Sequence, residues 1–235
     1  MHVPDGFFDV PTSVGTAVAS TVAVGIALRG ARRELDERTV PLAGLVAAFI
    51  FATQMLNFPV ASGTSGHLLG GALAAVLVGP YTALLCMSVV SLVQGLLFAD
   101  GGITALGTNV LLMGVVTVVA GWAVFRAVQT ILPKRKSMVA PAAAVGALLS
   151  VPAASLGFVA LYAIGGTADV PIATLTTAMV GVHLLIGMGE AAITFVAVSS
   201  IMAVRPDLVL GARRVLASDE LVLRSSAATS IGGPA

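Results

Sequence analysis

Charge is scarce in this chain. Of 235 residues only 10% are Asp, Glu, Lys or Arg, where a soluble domain carries about 25%. So few charges cannot cover a surface that faces water on all sides, and a water-soluble globule is excluded. Cysteine is scarcer still. Cys86 stands alone in an apolar run, so no disulfide can form within the chain, and a packing role follows. No Lys or Arg precedes Arg29, and Asp5 and Asp9 stand instead near the start. That charge pattern does not read as a secretory signal peptide. A Gly-x-x-x-x-Gly-Lys-Ser/Thr run is missing, which excludes ATP hydrolysis on a phosphate loop of its own. His-Glu-x-x-His is missing too, and the three histidines are far apart in sequence, which argues against a metallo-enzyme. A net charge of +1 gives no sign of a nucleic-acid partner.

What is present is apolar. Hydrophobic residues make up 57% and the mean hydropathy is +1.03, so the chain is an all-α integral membrane protein. Spans are expected near 12–29, 40–58, 67–79, 81–98, 106–126, 139–164 and 173–203, from the need for about 20 apolar residues per crossing. All twelve Lys and Arg fall in three clusters: Arg29 to Arg38, Arg126 to Lys136, and Arg205 to Arg224. The positive-inside rule places each cluster in the cytoplasm. An even number of crossings must then separate the first two. Splitting 67–98 at Gly79-Pro80 satisfies that parity. The expectation is a seven-helix bundle, amino terminus outside and carboxyl terminus cytoplasmic. A leader (1–11), a membrane domain (12–204) and a polar, partly disordered cytoplasmic tail (205–235) make up the chain.

Leu68–Gly79 holds 12 residues, about 18 Å of helix against about 30 Å of hydrocarbon. The shortfall lies on the outer side, where small uncharged residues run from Pro59 to Gly66. Irregular backbone at membrane depth has to be buried in protein or line a cavity. The stretch is therefore expected to dip inward and set His67 below the outer surface. On the same side, His2 follows Met1. The Met1 amine, the deprotonated His2 amide and the His2 Nδ1 can close two fused chelate rings around one ion. Three nitrogens in a plane suit Ni(II) and Cu(II), with Co(II) weaker. The leader is long enough to fold back, and His67 is then the fourth in-plane ligand.

Other polar residues sit at membrane depth. Gln54 and Asn57 end the second span; Gln94 and Asn109 lie in the fourth and fifth. His183 and Glu190 are seven residues apart, about two helical turns and about 10 Å along one face. Ionisable groups inside a membrane are functional candidates. Helix pinning is the alternative for this pair. In the first span Gly15, Ala19, Ala23 and Ala27 form a row of small residues that admits a close helix neighbour.

The start Met1-His2-Val3-Pro4-Asp5-Gly6-Phe7 resembles the cobalt/nickel substrate-binding component of energy-coupling-factor transporters. So do Gln54-Met55-Leu56-Asn57-Phe58-Pro59-Val60, Gly63-Thr64-Ser65-Gly66-His67-Leu68-Leu69-Gly70-Gly71 and the run from His183 to Glu190. The likeness extends from Met1 to about residue 204. It implies a high-affinity metal-capturing subunit with seven helices, binding Co2+ or Ni2+ as substrate through Met1, His2 and His67, with no organic cofactor. Asn57, Thr64, Ser65, Asn109, His183 and Glu190 are the residues expected to support those ligands. The resemblance further implies a transmembrane coupling protein and ABC-type ATPases as partners in the cytoplasmic membrane. Any small accessory membrane subunit would be a separate chain. A self-sufficient proton-coupled transporter using His183 and Glu190 is the competing reading, and the two halves of the sequence show no internal repeat to favour it.

Overall fold

The computed structural model describes residues 1–37, 39–56, 58–59 and 65–218. Among them the regular structure is helical apart from one small hairpin. The helices are α1 (Val10–Ala31), α2 (Thr39–Gln54), α3 (Gly71–Val78), α4 (Pro80–Leu97), α5 (Leu106–Asn109), α6 (Thr117–Ile131), α7 (Val139–Gly165) and α8 (Ile172–Val204). A π-helical stretch, Val110–Val116, joins α5 to α6 as one rod. The hairpin pairs β1 (Phe58–Pro59) with β2 (Ser65–Gly66) in antiparallel register. It closes the two ends of the expected inward-dipping stretch, most of which lies outside the described residues.

Local chemistry sets several boundaries. Asp9 accepts from the Thr12 amide at 2.9 Å, and Pro11 occupies the first turn of α1, where it has no hydrogen bond to lose. Gly79, at φ +93°, ends α3, and Pro80 opens α4. The Glu34 carboxylate then accepts from Thr82 N at 2.7 Å and from Tyr81 N at 3.3 Å, satisfying donors that a helix start leaves open.

Among the described residues five helices, with α5 to α6 counted as one rod, are long and apolar enough to cross a membrane. The expected second span has only 16 residues in α2. The third is shorter than its sequence suggests, 8 residues in α3, because Leu68, Leu69 and Gly70 stay outside the helix. All eight residues of α3 are buried, and α4, α6 and α7 pack around it. The approach is close: a Cβ at Gly121 of α6 would stand 2.4 Å from the Ala72 Cβ of α3. Of the small-residue row in α1, only Ala27 is buried, while Gly15 and Ala19 are exposed.

Basic segments gather at one end. Arg213, beyond α8, lies 3.7 Å from Asp36, which follows α1. Gln129 near the end of α6 donates to the Gly211 carbonyl at 3.2 Å. Val209, Ala212 and Val215 are buried in the same region, so the chain after α8 packs onto the bundle at least to there.

Gly121→Val is expected to destabilise the bundle by about 1–3 kcal/mol, the usual cost of overpacking. Gly25→Val, where a Cβ meets nothing within 4 Å, should cost far less. Thermal unfolding of the two variants in detergent checks the difference.

Candidate metal site

The leader is not a loose end. Met1 and Val3 are wholly buried, and His2 is 4% exposed. Two loops hold it. Between α4 and α5, Gly102 N donates to the Val3 carbonyl at 2.8 Å. Asn109 brackets the same residue, accepting from Val3 N at 2.8 Å and donating to Val3 O at 3.2 Å. Asp5 accepts from both the amide (2.7 Å) and the hydroxyl (2.5 Å) of Thr104. These bonds hold the Asp5 carboxyl below its usual range. Between α7 and α8, Thr167 N donates to Phe7 O at 3.1 Å, and Asp9 N donates to Gly165 O at 2.8 Å. Phe7 and Phe8 pack on Phe158, with ring centres 5.5 and 5.7 Å away. Apolar burial by these rings and paired backbone groups together offset the entropy of ordering the segment.

Only glycine suits the turn that receives His2. Gly101 has φ +95°, and a Cβ there would lie 2.8 Å from Asn109 Nδ2 and 3.3 Å from the His2 ring. Just before it, Ala99 takes φ +50°, a region that costs a non-glycine residue energy.

The histidines carry the chemistry. His67 Nδ1 lies 2.7 Å from the Leu68 carbonyl. His183 Nδ1 lies 2.7 Å from the Met179 carbonyl. A carbonyl only accepts, so both rings carry their proton on Nδ1 and present Nε2 as a lone pair. Both Nε2 atoms are buried without a hydrogen-bond partner. The His2 Nε2 is 3.1 Å from Gln94 Oε1; with the proton on Nε2, Nδ1 becomes the lone-pair nitrogen. This Nδ1 also lacks a hydrogen-bond partner of good geometry, although an Asp100 carboxylate oxygen stands 3.1 Å away. The His2 and His67 rings stack with centres 4.4 Å apart. Burial holds the Met1 amine well below the ordinary range for an α-amine, with the Asp100 charge pulling the other way. Among the described residues no three His, Cys, Asp or Glu side chains are gathered so as to hold a metal ion.

Glu190 settles the position of His67 from the neighbouring peptide units. Its two carboxylate oxygens accept from Leu69 N at 2.8 Å and Gly70 N at 3.0 Å. Gln54 Nε2 donates to the Leu69 carbonyl at 2.7 Å. Side chains of α2 and α8 thus fix the backbone two residues beyond His67. Asn57 and Thr64 lie outside the described residues, and of Ser65 only the strand backbone is described. Asn109 meets the leader directly. Asp100 and Thr104 were missed by sequence reasoning. Their signal was available: Asp100 is the one carboxylate between the fourth and fifth spans, and Gly101-Gly102 follows it in an otherwise apolar region.

Glu190→Gln keeps the shape but offers one acceptor to two N–H donors. It is expected to cost about 1–3 kcal/mol for the amide left unpaired. Hydrogen exchange of a peptide covering residues 67–71 should speed up, while peptides from α1 stay unchanged.

Residues 2–208 match the family described as CbiM, cobalt uptake substrate-specific transmembrane region. A protein of Haloquadratum walsbyi named as a metal transport protein is 42% identical over 209 residues, covering 89% of this chain and 93% of that protein. One of Archaeoglobus fulgidus, named as a fused nickel transport protein, is 37% identical over 209 residues, 89% of this chain and 68% of its own length. A crystal structure of a transition metal transporter superposes with TM-score 0.79 at 28% identity, covering 87% of this chain and 93% of that chain. The chain belongs to the CbiM family, the transmembrane region of cobalt uptake systems.

Proposed function

We propose that the chain captures Co2+ or Ni2+ from outside the cell and serves as the substrate-binding component of an ATP-driven energy-coupling-factor transporter. One observation carries the reading. A buried leader puts a lone-pair nitrogen of His2 beside the ring of His67, whose own free nitrogen is sealed from water. Buried polar atoms without partners are costly, and a cation with nitrogen ligands would satisfy both. In this reading the Met1 amine, the His2 amide and Nδ1, and His67 Nε2 bind the ion. Gln94 fixes the His2 tautomer as partners of ligating histidines do, and Asn109 and Glu190 hold the two segments that meet. Co2+ and Ni2+ are substrate here.

Placing the basic segments in the cytoplasm puts the leader outside and yields seven crossings, with α2 and α3 as short ones completed by loops. The gathering of Arg213, Asp36 and Gln129 at one end supports this orientation. ATP hydrolysis then belongs to ABC-type ATPases acting through a transmembrane coupling protein, in the cytoplasmic membrane. Any small accessory membrane subunit is a separate chain. Release requires the leader and the His67 segment to part. The competing proton relay through His183 and Glu190 is less economical, because both Glu190 oxygens already hold backbone amides. Nitrogen sites favour Ni(II) over Co(II), so metal supply and partner chains decide which ion is carried.

Adding one residue before Met1, or acetylating its amine, should abolish tight Ni2+ binding while the helical fold persists by circular dichroism. Mass spectrometry of the purified chain must first show an unformylated Met1. Undiminished affinity in the extended chain would rule out the chelate. His67→Ala should likewise lose the ion; stoichiometric metal in that variant would remove His67 from the ligand set.

A further inference from the structure

We propose that Asp100 is a further residue of the metal site, the counter-charge that makes a divalent ion acceptable there. The inference rests on the leader site proposed above and adds a group outside its nitrogen donors. Asp100 belongs to the turn between α4 and α5 that cradles the leader, and its N–H donates to the Gln94 carbonyl at 3.1 Å. Its neighbours hold Val3 and the His2 ring in place. One carboxylate oxygen lies 3.1 Å from His2 Nδ1.

That contact has an electrostatic meaning. With Gln94 Oε1 accepting from His2 Nε2, the Nδ1 atom faces Asp100 as a lone pair. Two acceptors at this distance repel each other unless a proton or a metal cation sits between them. A cation on Nδ1 meets that condition and lies against the carboxylate. Asp100 therefore faces the imidazole donor of the leader.

The charge count points the same way. A divalent ion bound to a neutral amine, two neutral imidazoles and one deprotonated amide leaves a net charge of +1. His2 and His67 are 4% and 0% exposed, and an unpaired charge in such a place is costly. Asp100 brings the sum to zero. Glu190 is committed to Leu69 and Gly70, and Asp5 to Thr104. Asp100, by its contact with His2 Nδ1, is set against the donors. In this role it stands beside the ion without replacing a nitrogen.

The test is equilibrium binding of Ni2+ and Co2+ to the purified full chain, with the ligand-field spectrum of the bound ion recorded on the same samples. Asp100→Asn keeps the shape and removes the charge. It should raise Kd for both ions by about 10–100-fold, the range seen when partners of metal ligands are removed. The spectrum should not change, because the nitrogens remain. Asp100→Glu, which restores the charge, should recover part of the loss. A Kd within about twofold of the parent chain would overturn the proposal. So would an altered spectrum, which would mean that the substitution displaces the leader or that the carboxylate is itself a ligand. Should Asp100→Asn fail to fold, Asp100→Ser is read by the same criteria. His67→Ala, measured alongside, separates the two levels. Loss of metal in that variant with full affinity in Asp100→Asn would sink the counter-charge alone. Retention of metal in His67→Ala would count against the underlying site.

Discussion

The structure depends on burying the first three residues of the chain. Met1, His2 and Val3 occupy space that in a helical bundle would otherwise go to core side chains. A free chain end normally stays in water, since ordering it costs entropy and burying its amine costs solvation. Here the cost is met from several directions. Two loops pair with the leader backbone, Asn109 satisfies both polar groups of Val3, and Phe7 and Phe8 pack on Phe158. Among the described residues, the buried polar atoms left without a hydrogen-bond partner include Nδ1 of His2 and Nε2 of His67 and His183.

The core is arranged around the same place. The short α3 lies wholly inside, so the three residues before it can run irregularly at depth. Gln54 from α2 and Glu190 from α8 hold the peptide units of that irregular stretch. Unpaired backbone groups would make such a segment untenable in a membrane, and the two side chains make it tenable. His67 is thereby carried at the head of α3 while its Nδ1 is tied to the adjacent carbonyl.

Much of this was legible in the sequence, for identifiable reasons. Helix positions followed from hydropathy and from punctuation such as Gly79-Pro80, and α7 and α8 begin and end within one residue of expectation. The expected third span came out as eight residues because Gly70, at φ +82°, turns the chain before α3 can begin. Met1, His2 and His67 were singled out from their spacing and chemistry, and the structure brings His2 and His67 into ring contact. The loop between α4 and α5 was not legible as the leader's cradle. Its bonds to Val3 and Asp5 join residues about a hundred positions apart, and no local pattern encodes such a pairing. Gln94 stood out only as an amide at membrane depth, because nothing in its own span reveals that His2 reaches it.

Copper gives the most direct view of the leader. Cu(II) favours planar nitrogen sites, and its electron-spin resonance spectrum resolves couplings to the nitrogens that bind it. The chain should be prepared with 15N-methionine and with natural methionine, loaded with one equivalent of Cu(II), and compared. A nitrogen coupling that changes with the label places the Met1 amine on the ion. An identical pattern in the two samples would show that the amine is not a ligand, and the buried leader would then need another explanation.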